Sequence, residues 1–373
     1  MRGPEHRPCP NMPLPRIDPE HYSGQLEQKV RRFQADFAEL APPEPRIFSS
    51  EPLHYRLRAE FRIWHEGERL DYVMFDPQAP EIPIPVLDFP AGSARINALM
   101  PVLRERLAAD DTLRRKLFQV EFLTTLSGQA LVTLLYHRPL DEHWQRAATQ
   151  LRDDLAIQLL GRSRKQKIAL DDDSVIETLN IDGRDFHYQQ IEGSFTQPNG
   201  GINRRMLEWA LQTTRGVGGD LLELYCGNGN FTVVLAQNFE RVLATEIAKS
   251  SVRAATFNLN ANGVDNVALV RMSSDEISTA LSGGRAFNRL RHITLDEYRF
   301  STLLVDPPRC GLDATTLALA ARFDRILYIS CNPQTLRENV LALRATHRIE
   351  QLALFDQFPY THHLECGVLL HRN

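Results

Sequence analysis

The sequence predicts an α/β protein, with a doubly wound parallel sheet in its C-terminal part and an α+β domain before it. Beyond residue 193, short apolar strand candidates alternate with helical stretches, which is typical of a parallel sheet covered on both faces. Before residue 170, apolar and basic residues alternate with a period of two, and Ser127-Gly128 separates two strand candidates, which indicates antiparallel pairing. A length of 373 residues allows two or three domains.

Residues 1–18 are predicted to form a flexible proline-rich arm. Six prolines fall within the first 19 residues, and the apolar core of a secretory signal is missing there. A helix over 19–40 follows, because Val30, Phe33 and Phe37 recur at helical spacing. A proline-rich segment then ends this helix, since proline cannot donate a backbone hydrogen bond inside one.

The next segment predicts a strand with one apolar and one basic face. Over residues 55–63, apolar residues alternate with Arg56, Arg58 and Arg62. The remaining elements predicted for this domain are strands at 118–125 and 130–137 and a helix that contains Trp144 and Leu151.

The C-terminal part predicts a helix and then the parallel strands. They are a helix at 202–213 and strands at 220–224, 241–245, 267–271, 302–305 and 325–329. Ligands of such sheets bind at the carboxyl ends of the strands. Residues that carry chemistry are therefore expected where the strands end.

The first strand ends in Tyr225-Cys-Gly-Asn-Gly-Asn230, where glycines allow a tight turn and a close approach to a ligand. An ordinary turn between strand and helix would use the same glycines. Two details favour a nucleoside cofactor. Glu246, at the end of the next strand, has the spacing of an acidic residue that holds a ribose diol, and the third glycine of a pyrophosphate-binding loop is missing. S-adenosylmethionine is the common cofactor of this kind.

Three further segments carry reactive groups. Asp306-Pro-Pro-Arg309 fixes a carboxylate at the sheet edge, although a solvated proline-rich loop would give the same sequence. Cys331 follows a buried strand and is a candidate nucleophile, although a lone cysteine there is more often a packing residue. Glu365 follows two histidines near the C-terminus. No metal site is predicted there, because adjacent strand residues point to opposite faces and no further ligand completes a zinc set.

Taken together, these segments resemble the RNA (uracil-5-)-methyltransferase family, which uses S-adenosylmethionine, and within it the bacterial tRNA-modifying members. The resemblance rests on residues 54–65 (HYRLRAEFRIWH), 193–199 (GSFTQPN), 223–230 (ELYCGNGN), 245–246 (TE), 306–309 (DPPR), 330–333 (SCNP), 355–363 (FDQFPYTHH) and 365–367 (ECG). It covers nearly everything from residue 21 to the end. It implies an RNA-binding α+β domain at 19–190 and a Rossmann-like methyltransferase domain at 191–373.

The resemblance also implies residue roles. The cofactor contacts that it implies are Gln197, Tyr225, Asn230, Glu246 and Asp306. Cys331 would add to C6 of a uracil, and Glu365 would remove the proton from C5.

Two features depart from the family. They are the arm before Asp18 and Cys310, where a smaller residue or a serine is usual. The four-cysteine iron–sulfur cluster of the rRNA-modifying relatives is excluded by count, because only Cys9 lies in the N-terminal half.

The N-terminal domain is predicted to hold the RNA, and the resemblance implies the T-arm of tRNA as the substrate. The candidate contacts are Arg56, Arg58, Arg62, Phe118 and His137, near basic clusters at 114–116 and 162–167. A solvated basic surface over core aromatics would look the same at any one position. The alternatives are a uridine methyltransferase of rRNA and an RNA-folding or RNA-binding protein with secondary methylation activity. Other RNAs with a T-like loop are further candidate substrates.

The composition sets the remaining limits. A net charge of −4 does not indicate a nucleic-acid binder, so local basic clusters carry that prediction. Five cysteines without a CxxC pair fit a reducing cytoplasm better than a disulfide framework. No stretch of about 18 apolar residues exists, so no membrane span is expected. We expect a cytoplasmic monomer that binds no metal.

Overall fold

The computed structural model describes residues 17–76 and 78–373, so the predicted arm at 1–18 lies almost wholly outside the described residues. The chain forms two units. The first unit contains Pro52–Thr124 and Gly128–Asp173. The second unit contains His21–Glu51, Thr125–Ser127 and Ser174–Asn373.

The second unit begins with helix α1 (Tyr22–Phe37) and strand β1 (Arg46–Phe48). The apolar side chains of α1 that recur at helical spacing, Val30 and Phe33 among them, are buried. This helix agrees with the prediction for 19–40, and short 3-10 turns extend it at both ends.

The first unit is a seven-stranded sheet with three helices. Its elements are β2 (Arg58–Glu66), β3 (Arg69–Asp76), β4 (Ala79–Pro85), α2 (Ala94–Ala109), α3 (Asp111–Arg114), β5 (Leu117–Thr124), β6 (Ala130–Tyr136), α4 (Glu142–Leu155), β7 (Gln158–Ser163) and β8 (Gln166–Ala169). The strand order is β4-β3-β2-β5-β6-β7-β8, and only β6 and β7 pair in parallel. Phe61 packs its ring against Tyr72 and Phe122 at centroid distances of 5.4 and 6.1 Å.

The α+β character of this unit is as predicted, but six of its ten elements, β3, β4, α2, α3, β7 and β8, were not predicted. The strands around residues 58–66, 117–124 and 130–136 are confirmed. Helix α2 was missed because Pro101 stands inside it and weakens the helical signal. Ser93 caps this helix by accepting a hydrogen bond from the Ile96 N–H at 3.2 Å.

The second unit continues as an eight-stranded sheet with helices, preceded by a two-stranded hairpin. Its further elements are β9 (Ser174–Ile181), β10 (Arg184–Ile191), α5 (Gly200–Thr213), β11 (Asp220–Leu224), α6 (Asn230–Leu235), β12 (Val242–Thr245), α7 (Lys249–Ala261), β13 (Val267–Val270), α8 (Ser274–Leu281), β14 (Phe300–Val305), α9 (Ala314–Ala320), β15 (Arg325–Ser330), α10 (Pro333–Leu343), β16 (His347–Phe355) and β17 (Glu365–Arg372). All five predicted parallel strands are present, and the predicted fold class is confirmed.

The sheet order explains where a ligand site can form. The order is β1-β16-β17-β15-β14-β11-β12-β13, with β11 to β15 mutually parallel. From β11 the chain adds β12 and β13 on one side and then β14 and β15 on the other, so the strand order reverses between β11 and β14, which is the switch point where open sheets bind ligands. Strand β17 is antiparallel to β15, so its first residue, Glu365, lies at the carboxyl edge of the parallel strands.

The predicted domain boundaries of 19–190 and 191–373 need correction. Helix α1, strand β1 and the hairpin β9–β10 all belong to the second unit. Strand β1 pairs with β16. The hairpin is fixed to α7, because Asn262 exchanges two hydrogen bonds with the backbone of His187, at 2.8 and 2.7 Å. These long-range contacts leave no local signal in the sequence.

Candidate active site at the sheet edge

A cavity of about 680 Å³ lies at the carboxyl ends of the parallel strands, within the size range of small-molecule sites. Its wall contains all seven residues predicted for catalysis and cofactor binding: Gln197, Tyr225, Asn230, Glu246, Asp306, Cys331 and Glu365. They come from six separate segments of the chain, which the sheet brings to one edge.

The glycine-containing loop after β11 fixes one acidic side chain of the wall. Tyr225 adopts a left-handed backbone with φ 61°, and Gly227 follows with φ 57°. The Gly227 N–H donates to Glu246 Oε2 at 3.0 Å, and the Ala248 N–H donates to Oε1 at 2.7 Å. With both oxygens held by backbone amides, Glu246 presents its remaining lone pairs in a fixed direction, as recognition of a ribose diol requires.

Asparagines hold the rest of this loop. The side chains of Asn203 and Asn230 exchange two hydrogen bonds, at 3.0 and 2.8 Å. Asn258, fully buried on α7, donates to the Asn228 carbonyl at 2.8 Å and accepts from the Gln189 N–H at 2.6 Å. Asn258 is a supporting residue that sequence reasoning missed, because its two partners are distant in the chain.

Polar atoms in the wall are available to a ligand. Gln190 Oε1 and Thr196 Oγ1 both belong to lining residues, are buried, and find no hydrogen-bond partner in the part of the chain that the structure describes. Gln197 accepts a hydrogen bond from Gln357 Nε2 at 2.5 Å. A ligand with hydrogen-bond donors would satisfy the two orphaned acceptors, since buried polar atoms without a partner are unfavourable.

Cys331 and Glu365 come together through the pairing of β15 with β17. Ser330 lies opposite Cys366 in this antiparallel pair, so Cys331 and Glu365 occupy neighbouring positions at the strand ends. The Cys331 thiol is partly exposed to the cavity, whereas Glu365 is only 6% exposed. A thiol and a carboxyl group thus face the same space.

Burial sets the protonation of these groups. It raises the pKa of Glu365 to about 8, with a further contribution from the Asp306 charge, and it raises the pKa of Asp306 to about 7. Burial likewise raises the pKa of the Cys331 thiol to about 11, and the charges of Glu365 and Asp306 act in the same direction. The positive charge of the nearby Arg309 guanidinium opposes this shift.

The chain matches the tRNA (Uracil-5-)-methyltransferase family over residues 21–373. It belongs to that family. The family resemblance inferred from the motifs is therefore confirmed.

Several relatives of this methyltransferase are named tRNA/tmRNA (uracil-C(5))-methyltransferase. The protein of Azoarcus sp. (strain BH72) is 64% identical over 97% of this chain and 99% of its own length. The protein of Dechloromonas aromatica (strain RCB) is 60% identical over 97% of this chain and 100% of its own. The fold is also that of Pyrococcus abyssi tRNA (uracil-54, C5)-methyltransferase, solved with S-adenosyl-L-homocysteine, at a TM-score of 0.70 and 19% identity over 94% of this chain and 83% of that one.

Arg309 is a site residue of the methyltransferase that sequence reasoning quoted in a motif without giving it a role. Its guanidinium lies in the cavity wall and donates to His363 Nδ1 at 2.8 Å. A cation beside a thiol and two carboxylates favours their ionised forms. The sequence signal was the arginine that directly follows Asp306-Pro-Pro at a strand end.

Helix α1 of the methyltransferase holds the segment that leads to Glu365. The Lys29 ammonium donates to Asp356 Oδ1 at 2.6 Å and to the carbonyls of Phe358 and His363 at 2.8 and 3.0 Å. Tyr22 donates to the other Asp356 oxygen at 2.8 Å. Because Asp356 is fully buried, the hydrogen bonds from Lys29 and Tyr22 compensate the loss of water around its carboxylate. Sequence reasoning missed this network, whose members are more than 300 positions apart.

The predicted RNA-binding residues lie in the first unit of the methyltransferase, where three of them meet. Phe118 and His137 stack with centroids 4.0 Å apart, and the Arg62 guanidinium lies 5.3 Å from the Phe118 ring centre. Arg58 is the first residue of β2, and Arg56 lies before the strand, where its Nε donates to the Arg58 carbonyl at 2.9 Å. The predicted row of three arginines on one strand is therefore corrected to two.

The Phe118–His137 pair borders a basic cavity of about 830 Å³ within this unit. Its positively charged lining residues are Arg114, Arg115, Lys116 and Arg138. The cluster at 114–116 thus joins the aromatic pair, whereas the cluster at 162–167 lies on β7 and β8 at one edge of the sheet.

Within residues 17–76 and 78–373, no group of three or more His, Cys, Asp or Glu side chains is arranged to hold a metal ion. No helix in the same residues is long and apolar enough to cross a bilayer.

Proposed function

We propose that this methyltransferase transfers a methyl group from S-adenosylmethionine to C5 of a uridine in the T-loop of tRNA. The observation that carries the proposal is the position of Cys331 beside Glu365 in the wall of a cavity that also contains the Glu246 carboxylate. Family membership supports the reaction, and the names of the relatives support tRNA and tmRNA as substrates.

The cavity suits S-adenosylmethionine. The fixed carboxylate of Glu246 would accept hydrogen bonds from the ribose hydroxyls, and Tyr225 and Asn230 belong to the loop that passes beneath it. The orphaned oxygens of Gln190 and Thr196 would accept from the amino acid part of the cofactor, near Gln197 and Asp306. When bound, the cofactor supplies a methyl group bonded to a sulfonium sulfur, which is the electrophile of the reaction.

In the reaction that we propose, the Cys331 thiolate adds to C6 of the uracil and forms a carbon–sulfur bond. The electron pair displaced from the C5–C6 double bond makes C5 nucleophilic, and C5 forms a bond to the methyl group while the bond from that methyl to the sulfonium sulfur breaks and S-adenosylhomocysteine leaves. Glu365 then removes the remaining C5 proton, and the carbon–sulfur bond breaks as the double bond is restored. Arg309 would favour the thiolate, since its charge lowers the pKa of Cys331.

The first unit would hold the RNA. A loop uridine needs less free energy to leave its stack than a paired one, for which flipping costs a few kcal/mol. The stacked rings of Phe118 and His137, beside Arg62 and a basic cavity, suit unpaired bases and phosphates. We further propose that the protein acts as a cytoplasmic monomer and that other RNAs with a T-like loop, including tmRNA, are substrates.

The test uses methyl-labelled S-adenosylmethionine and two unmodified tRNA transcripts, one natural and one with the T-loop uridine replaced by cytidine. We expect label on the first transcript and none on the second. Equal label on both transcripts would contradict the T-loop assignment. Absence of label on either, while the RNA still binds, would contradict the proposed tRNA activity.

A further inference from the structure

A second cavity of about 680 Å³ meets the candidate active site at Cys331. We name it the α1 cleft, because its outer wall is one face of helix α1. The α1 cleft is lined by Gln25, Gln28, Arg32, Gln334, Tyr360 and His362, among others. It shares only Arg309 and Cys331 with the first cavity. The nucleophile thus lies where two spaces join, one of which contains the proposed cofactor residues.

The wall of the α1 cleft offers mostly hydrogen-bond donors and cations. Residues at positions 25, 28, 29, 32 and 36 line it at helical spacing, so one face of α1 points into it. Of these, Lys29 is engaged with Asp356 and two carbonyls inside the protein. Arg32 is 76% exposed, and its one carboxylate partner, Asp36, lies at 4.0 Å. Together with Arg309 and His362, Arg32 makes the cleft suitable for an anionic group such as a phosphate.

The wall opposite α1 is held in place by α1 itself. Lys29 donates to the carbonyls of Phe358 and His363, and the Tyr360 N–H donates to Gln25 Oε1 at 2.6 Å. These bonds fix the segment between β16 and β17 at several points. The cleft therefore needs little ordering when a ligand enters, which favours binding.

The proposed reaction requires room for more than a base. A uridine inside an RNA chain carries a phosphodiester on each side, and these cannot follow the uracil into the space that the cofactor needs. Phosphates and neighbouring nucleotides must lie outside it, next to the nucleophile. The α1 cleft opens at Cys331 and ends at exposed side chains of α1.

We propose that the α1 cleft binds the RNA backbone next to the target uridine, with a phosphate between Arg32 and Arg309. This inference rests on the proposed function, because it takes RNA as the substrate. It gives the second unit a nucleic-acid contact of its own, in addition to the basic cavity of the first unit.

The test compares Arg32→Gln with a matched control, Arg31→Gln. Arg31 is 75% exposed on the same helix and has its own carboxylate partner, Glu27, but it does not line the cleft. A T-arm RNA hairpin is the probe, and its binding is measured by fluorescence anisotropy across a series of salt concentrations. We expect Arg32→Gln to raise Kd about three- to tenfold and to reduce the salt slope by roughly 0.7–0.9, the change for one lost phosphate contact. Arg31→Gln should leave both unchanged.

A second set of hairpins locates the phosphate. Each hairpin carries one neutral methylphosphonate at a linkage within two nucleotides of the target uridine. For the wild-type protein one such hairpin should bind several-fold more weakly, and for Arg32→Gln the same hairpin should bind no more weakly than the unmodified one. Equal effects of Arg32→Gln and Arg31→Gln, or additive effects at every linkage, would overturn the proposal.

The outcome is distinguishable from a failure of the proposed function. Methylation of the natural transcript by the wild-type protein is measured in parallel. If methylation occurs and the two arginine variants behave alike, only the proposal that the α1 cleft binds the RNA backbone is refuted. If the wild-type protein neither methylates nor binds the hairpin, the proposed function and the cleft proposal fail together.

Discussion

Cys331 and Glu365 stand next to each other because Ser330 lies opposite Cys366 in the antiparallel pair of β15 and β17. A parallel strand at this position would carry its first residue at the other edge of the sheet. The inserted antiparallel strand therefore delivers a carboxyl group beside a thiol that lies at the end of a parallel strand. The predictions below follow from this relationship and from the parts of the fold that support it.

Replacing the thiol tests the nucleophile directly. Cys331→Ala should abolish both methyl transfer and the covalent protein–RNA species, because Cys226, the one other cysteine of the described residues in the cavity wall, is buried and burial raises the pKa of its thiol. Affinity for S-adenosylmethionine, measured by equilibrium dialysis, should be unchanged, since Glu246 and Tyr225 remain. Cys310→Ser is the control, because Cys310 is exposed and does not line the cavity. Methylation by Cys331→Ala above background would contradict the role.

Replacing the carboxyl group tests a later step. Glu365→Gln keeps the size of the side chain but cannot take the C5 proton, so adduct formation should proceed while adduct breakdown slows by about 10²–10⁴-fold. Incubation with labelled tRNA, followed by a denaturing gel, should show a trapped protein–RNA species. A variant with slow turnover and no trapped species would place Glu365 outside the elimination step.

The motifs that predict the two catalytic candidates are local, but their pairing is not. Cys331 and Asp306 follow buried parallel strands, so apolar runs in the sequence were enough to place them at one edge. Nothing near Glu365 indicates that β17 inserts between β15 and β16, because strand order depends on contacts across the chain. The family resemblance, and not the spacing of apolar residues, predicted a role for Glu365.

Dependence on contacts between distant parts of the chain also explains why the contacts of helix α1 with Asp356 were not predicted. The apolar positions of α1 predicted a helix, but nothing in the sequence around Lys29 indicates that its ammonium group is buried. Its burial depends on Asp356, which arrives from the far end of the sequence. The correction of the domain boundary has the same cause: α1, β1 and the hairpin β9–β10 join the second unit through partners that no local pattern names.

The raised pKa of Glu365 predicts the pH dependence of adduct breakdown. Only the ionised carboxylate can accept a proton, and with a pKa of about 8 its ionised fraction rises about tenfold per pH unit below that value. Single-turnover breakdown should therefore accelerate from pH 6 to 8 and level off above. Adduct formation should continue to accelerate above pH 8, because the pKa of the Cys331 thiol is about 11. Identical pH profiles for the two steps would contradict the assignment.

The same carboxyl group should affect stability. Its pKa rises from 4.5 to about 8 on folding, so the folded state favours the protonated form. The stabilisation is complete below pH 4.5 and is lost as the pH rises through 8. Glu365→Gln removes the titrating group. The free energy of unfolding in urea should therefore change less between pH 6 and pH 9 for the variant than for the wild-type protein. A wild-type protein whose free energy of unfolding changes no more than that of the variant would contradict the buried, protonated state.

The aromatic pair of the first unit should carry part of the RNA affinity. A base stacked on an aromatic side chain contributes about 1–3 kcal/mol, so Phe118→Ala and His137→Ala should each raise the Kd for a T-arm hairpin by about 5- to 150-fold. Cofactor affinity should not change, because neither residue lines the cofactor cavity. Ile82→Ala is the control, since Ile82 is 56% exposed on β4. Equal RNA affinities of the aromatic variants and the control would remove this pair from the RNA site.

The glycine two residues after Glu365 should be essential for packing. A Cβ at Gly367 would lie 2.5 Å from Trp209 Cζ3 and 2.9 Å from its Cη2, and Trp209 is fully buried. Gly367→Ala should therefore lower the free energy of unfolding by about 1–3 kcal/mol, as overpacking of a core does. Gly24→Ala is the matched control: a Cβ there meets nothing within 4 Å, and in helix α1 it should raise stability by up to about 1 kcal/mol.

The same substitution should affect the reaction, because strand β17 carries both Gly367 and Glu365. If β17 shifts to relieve the contact with Trp209, adduct breakdown should slow in Gly367→Ala while cofactor affinity is retained. A stable Gly367→Ala protein with normal breakdown would mean that Trp209 can move aside without shifting β17.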